Sequence, residues 1–77
     1  MEENNKKLLA DKLSKWYYSL PVNEFKEVRD KIITECEITR YIFYNWLSAK
    51  TRISKADQKA IELVANKEIF KWEQNQN

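Results

Sequence analysis

The chain has no glycine, no histidine, one proline and one cysteine in 77 residues, and each shortage closes off a class of structure or chemistry. Tight hairpin turns need positive φ, which glycine adopts at least cost, so strands joined by such turns are disfavoured and helices are expected. Without histidine, and with Cys36 alone, there is no zinc ligand set, no Cys/His dyad and no Ser/His triad. A phosphate-cradling Gly-rich loop is excluded by the same count. Glu35 and Glu37 are two carboxylates near each other in sequence, but residues two apart in a turn diverge. The expectation is a protein that is not an enzyme and uses no metal, cofactor or small-molecule substrate.

Cys36 cannot pair within the chain, and its place in an apolar helical pattern points to a buried thiol in a reducing compartment. No apolar run approaches the roughly 18 to 20 residues that cross a bilayer. The acidic, amide-rich opening Met1-Glu2-Glu3-Asn4-Asn5 does not read as a signal peptide. A cytoplasmic protein with no membrane contact is expected.

What the chain does have is 43% hydrophobic and 13% aromatic residues, with 34% charged residues of both signs, enough for one folded core and too short for two. Residues 1–72 read as a single domain and the polar run 73–77 as a disordered tail. Leu9, Leu13, Trp16 and Leu20 recur at helical spacing and predict a helix over about 4–18, ended by Pro21. Asn23 is a candidate N-cap for a helix over 24–36 with Phe25, Val28, Ile32 and Cys36 on one face.

After the break at Cys36-Glu37-Ile38-Thr39, Thr39 can cap a third helix over 40–48. Its residues Phe43, Trp46 and Leu47 face inward, while Tyr41, Tyr44, Asn45 and Ser48 face out. A polar loop from Ser48 to Ile53 leads to Ser54-Lys55-Ala56-Asp57, which has the form of a capping box. The fourth helix is expected over 55–71, with Ala60, Ile61, Val64 and Ala65 inward and Phe70 as an end anchor. The fold class is all-α, a compact domain of four helices, or five if the last is broken.

Charge is unevenly placed. Residues 1–38 hold seven Lys/Arg against eight Asp/Glu, residues 56–77 three against four, and residues 39–55 four (Arg40, Lys50, Arg52, Lys55) against none. A cationic segment between two nearly neutral ones suits a surface that meets phosphate.

Two helices joined by a three-residue turn, then an aromatic-rich short helix and a basic loop, suit either ligand-free packing or a DNA reader. The run from Cys36 to Ser54 resembles the helix-turn-helix of the lambdoid phage repressor and Cro family, with the similarity extending over about residues 24–65. Ile38, Thr39 and Phe43 match the branched residue after the turn, the hydroxyl that opens the recognition helix and the apolar residue four places on. Trp46-Leu47-Ser48-Ala49-Lys50 and Ser54 match the order that follows. The resemblance implies a repressor-like fold and sequence-specific binding of double-stranded DNA, in transcriptional regulation or the control of a mobile element.

Three departures have physical consequences. Glu37 stands where the family favours glycine in a left-handed conformation, so Glu37 is strained or the turn differs. Ala49 raises the same question at the end of the recognition helix. Ile33 replaces a small residue at the approach of the two helices, so the helices splay or Ile33 turns outward.

By resemblance, Arg40, Tyr41 and Asn45 fall where the family reads base edges. An arginine can donate two hydrogen bonds to guanine and an asparagine can pair with adenine. Thr39, Lys50, Thr51 and Arg52 match backbone-contacting places, Tyr44 can donate to a phosphate, and Arg29 lies where a phosphate often docks.

One such unit makes too few phosphate contacts for tight binding at physiological salt, so a homodimer on two half-sites is expected. Its candidate surfaces are Trp16-Tyr17-Tyr18 and Phe70-Lys71-Trp72. The rival reading is a protein-interaction module that keeps a repressor-like fold and uses the Tyr41/Tyr44 face for a protein partner, beside acidic Glu35 and Glu37.

Overall fold

The computed structural model describes residues 2–70, with side chains from Lys6 onward. It is all-α: α1 (Glu2–Tyr17), α2 (Phe25–Cys36), α3 (Arg40–Leu47) and α4 (Lys55–Ala65), with a 3₁₀ turn at Val22–Glu24 between the first two. Helix α2 lies on α4 and α1 lies on α3. No strand forms among the described residues.

Leu9, Leu13 and Tyr17 form the buried stripe of α1, while Trp16 and Leu20 are half-buried at its edge. The expected stripe is therefore rotated towards Tyr17, which leaves the candidate dimer surface and enters the core. The reason is aromatic packing across three helices. The Tyr17 ring stacks on Phe25 at 5.0 Å and meets Phe43 edge-on at 5.2 Å. Its hydroxyl donates to the Phe25 carbonyl at 3.1 Å, the partner that a buried phenol needs. Burial, followed by the nearby Tyr44 hydroxyl, raises the Tyr17 pKa above its ordinary value.

Ile32, Phe43, Trp46, Ile53, Ile61 and Phe70 complete the core. Ile53 belongs there although the stretch that contains it reads as polar loop. It is fully enclosed, and Gln58 Nε2 donates to its carbonyl at 2.9 Å. Asn23 does not cap α2: it lies inside the 3₁₀ turn, and α2 starts from Glu24 without a side-chain cap. Ser54 does cap α4, accepting from Asp57 N–H at 3.2 Å.

Helix α4 stops at Ala65 and not at residue 71, because Asn66 turns left-handed and the chain doubles back. Glu62 holds the return, one carboxylate oxygen accepting from the backbone N–H groups of Ile69 at 3.0 Å and Phe70 at 2.9 Å. Phe70 is thereby set into the core as an anchor, outside any helix. Lys71, Trp72 and the 73–77 tail lie outside the described residues.

Three helices end in the same way. Glu37 (φ 56°), Ala49 (φ 65°) and Asn66 (φ 61°) take the left-handed conformation that a glycine would occupy at least cost. At the first, Ile38 N–H donates to Ile33 O at 3.1 Å and Glu37 N–H to Thr34 O at 3.3 Å. At the second, Lys50 N–H donates to Asn45 O at 2.9 Å and Ala49 N–H to Trp46 O at 3.2 Å. These are the paired bonds of the Schellman cap, which satisfies the last helix carbonyls and turns the chain sharply. The left-handed conformation is thus adopted at Glu37 and Ala49 in spite of the residue type, and the strain is accepted. Ile33 is half-buried against the core.

Candidate nucleic-acid interface

Helix α3 is two turns long and two-faced. Phe43 and Trp46 are buried, with Ile42 and Leu47 half-buried beside them, which fixes the rotation of the helix about its axis. Arg40, Tyr41, Tyr44, Asn45 and Ser48 then fall on the opposite face, at the three- and four-residue spacing of neighbours on a helix. Thr39 caps the helix, its hydroxyl oxygen accepting from Ile42 N–H at 3.2 Å. Lys50, Thr51 and Arg52 follow in the exposed loop that starts from the sharp turn at Ala49, and Lys55 opens α4.

These side chains differ in how far they are already engaged. Arg40, Tyr41, Asn45, Lys50, Thr51 and Arg52 make no side-chain hydrogen bond or ion pair with any described residue. Tyr41 is 75% exposed, the most open aromatic among the described residues. Asn45 is half-buried, with its amide unspent.

Arg29 and Tyr44 are engaged. The Arg29 side chain is only 15% exposed: its Nε donates to Asp30 at 3.2 Å and Nη1 to the Tyr44 hydroxyl at 3.4 Å. The guanidinium expected to reach for phosphate is turned to its neighbours, and it ties α2 to the outer face of α3. The Tyr44 hydrogen bond is the main cause that raises the Arg29 pKa. At Asp30, desolvation works the other way, but the hydrogen bonds from Arg29 and Lys26 outweigh it and hold the carboxyl below its ordinary value. The Tyr44 ring rests edge-on against Phe43 at 5.4 Å, so an aromatic with 40% exposure is anchored from two sides. Spacing alone reveals none of this, because Arg29 and Tyr44 are fifteen residues apart.

The charges at the helix ends are unequal. The first turn of α3 opens on Arg40 and contains no acid, whereas α2 has Glu27 and α4 has Asp57 in theirs. A helix N-terminus carries partial positive charge and favours an anion, so Arg40 adds cation to cation. Exposed Glu35 lies in the last turn of α2 and exposed Glu37 in the connection itself.

Cys36 is half-buried at the α2–α4 contact, its Sγ donating to Asp57 O at 3.9 Å. Burial, then the Asp57 charge, pushes its thiol up to about 12, so it stays protonated and inert at neutral pH. Among the described residues no cluster of His, Cys, Asp or Glu could hold a metal ion, and no helix is long and apolar enough to cross a membrane.

What the geometry defines is a small all-α domain whose short third helix presents uncommitted cationic and amide groups to solvent. Compared with known families, curated proteins and solved structures, the chain matches none.

Proposed function

We propose that this chain is a helix-turn-helix domain that binds double-stranded DNA in the cytoplasm, as a transcriptional regulator or mobile-element repressor. Helix α3 enters the major groove, where Arg40, Tyr41 and Asn45 read base edges and Thr39, Tyr44, Lys50, Thr51 and Arg52 meet the sugar-phosphate backbone. Arg29 serves by fixing Tyr44. Two copies act on two half-sites, because one unit of this size supplies too few phosphate contacts.

The observation that carries the reading is the state of two outward side chains of α3, Arg40 at its start and Asn45 in its last turn. Arg40 opposes the helix dipole, and the side chains of Arg40 and Asn45 make no hydrogen bond or ion pair with any described residue. Arrangements that work against local stability are expected where a ligand compensates them, and the ligand compensating two cationic features is an anion.

Anisotropy titration of labelled duplexes tests it. Log affinity should fall with log salt at a slope of about −4 per domain, from roughly 0.9 per neutralised phosphate. Arg40→Ala should flatten discrimination between sequences; a parent with no affinity for any duplex at low salt overturns the proposal.

A protein-interaction module is the second reading, favoured by the open Tyr41 ring and by the exposed acids Glu35 and Glu37 a few residues earlier in the chain. It expects a much shallower salt dependence.

A further inference from the structure

Helix α1 has a second face that its packing on α3 leaves open. Leu8, Asp11, Lys15 and Tyr18 follow at steps of three, four and three, which places them in one row along about 15 Å of helix. Leu8 is 45% exposed and Tyr18 58%, and Asp11 and Lys15 are exposed between them. Tyr18 lies one residue past α1 but keeps the helical bond from its N–H to Ser14 O at 2.9 Å. Its ring is held edge-on by Tyr17 at 5.2 Å and by Phe25 at 5.9 Å, so it projects in a fixed direction. The row lines a shallow groove that also includes Lys12 and Ser14.

This face is its own complement. Positions 8 and 18, and positions 11 and 15, are equidistant from residue 13. Two α1 helices laid antiparallel about a twofold axis at that level set Leu8 against the partner's Tyr18 and Asp11 against the partner's Lys15, each contact occurring twice. Neither Asp11 nor Lys15 forms an ion pair with a described residue of its own chain. A twofold interface demands such self-complementarity of one patch, and a row with opposite charges at the centre and apolar groups at the ends supplies it.

We propose that a second copy of this chain docks on the Leu8–Tyr18 face of α1, antiparallel. This deepens the two-copy part of the DNA-binding reading and rests on it only there. The contact is small, and interfaces of that size are weak, so association is expected at high micromolar concentration and should weaken as salt rises.

Sedimentation equilibrium of the full chain without DNA tests the proposal. Asp11→Lys and Lys15→Asp should each weaken association about tenfold or more, because each puts like charges opposite one another twice. An equimolar mixture of the two variants should associate again, since every central contact then pairs opposite charges. The double variant, with both charges exchanged, should behave as the parent. Both positions are exposed, and circular dichroism of each variant checks that the helices are intact. A parent that stays monomeric to millimolar concentration overturns the proposal, as does association indifferent to the single exchanges or not restored in the mixture. A parent that dimerises but ignores DNA sinks the DNA reading and leaves this one standing.

Discussion

Helices α3 and α4 share a plan. Each begins at a hydroxyl cap, Thr39 or Ser54, whose oxygen accepts a backbone N–H at 3.2 Å, and each is closed by a left-handed residue, Ala49 or Asn66. They diverge in detail: α4 places Asp57 in its positive first turn and ends on Asn66, a residue type that tolerates positive φ. Helix α3 opens on Arg40 and ends on Ala49, both the less favourable choice. With an N-terminal hydroxyl cap common to both, the difference shows what α3 gives up locally, at exposed Arg40 and half-buried Ala49.

The largest effect is expected at the inner face of α3. Phe43→Ala empties a fully buried site and should cost about 3–5 kcal/mol in urea unfolding, enough to unfold much of so small a domain. A loss below about 1 kcal/mol would mean that the inner face of α3 does not anchor it.

At the two N-termini the effects should have opposite signs. Arg40→Ala is expected to raise stability by about 0.3–1 kcal/mol, and the proposed DNA-binding role predicts that it lowers affinity for a preferred duplex by about 1–3 kcal/mol. Asp57→Ala should lower stability by a similar few tenths to 1 kcal/mol without weakening DNA binding. Thermal melts and titrations of the same two variants decide whether the contrast is functional.

The C-terminal ends sharpen it further. Glu37→Gly and Ala49→Gly relieve left-handed strain and should each stabilise by up to about 1 kcal/mol, whereas Asn66→Gly should change little. Equal responses at all three positions would remove the asymmetry.

The smallest effect is silent at neutral pH. The raised Cys36 pKa favours the folded state fully below the ordinary thiol value near 9, and that contribution is lost as pH rises from about 9 through about 12. At pH 8, a thiol reagent should modify the native protein much more slowly than the chain in urea.

Much of this layout is written in residue spacing. The inward sets of α2 and α3, the Thr39 and Ser54 caps and the three-residue connection between the helices follow from local rules that need no partner element. What spacing does not carry is competition between elements. Tyr17 and Trp16 fit the same helical stripe about equally, and only the rings of Phe25 and Phe43 select Tyr17 for the interior. Ile53 looks like part of a loop until Trp46 and Ile61 are folded around the same core. The series Ile61, Ala65, Ile69 continues at helical period past Asn66, and the Glu62 carboxylate, acting over seven and eight residues, favours the return instead. The outward groups of α3 are legible as a set, but the engagement of Arg29 by Tyr44 is visible only once α2 and α3 are side by side.

That engagement acts as an angular stop. An eight-residue helix seated on two large rings can still roll slightly, and each degree of roll swings every outward side chain through the same arc. The bond between Arg29 and the Tyr44 hydroxyl pegs the roll from the rim, where leverage about the axis is greatest. Shortening the peg, as Arg29→Lys would, retunes the aim of residues 40, 41 and 45 together without altering any of them.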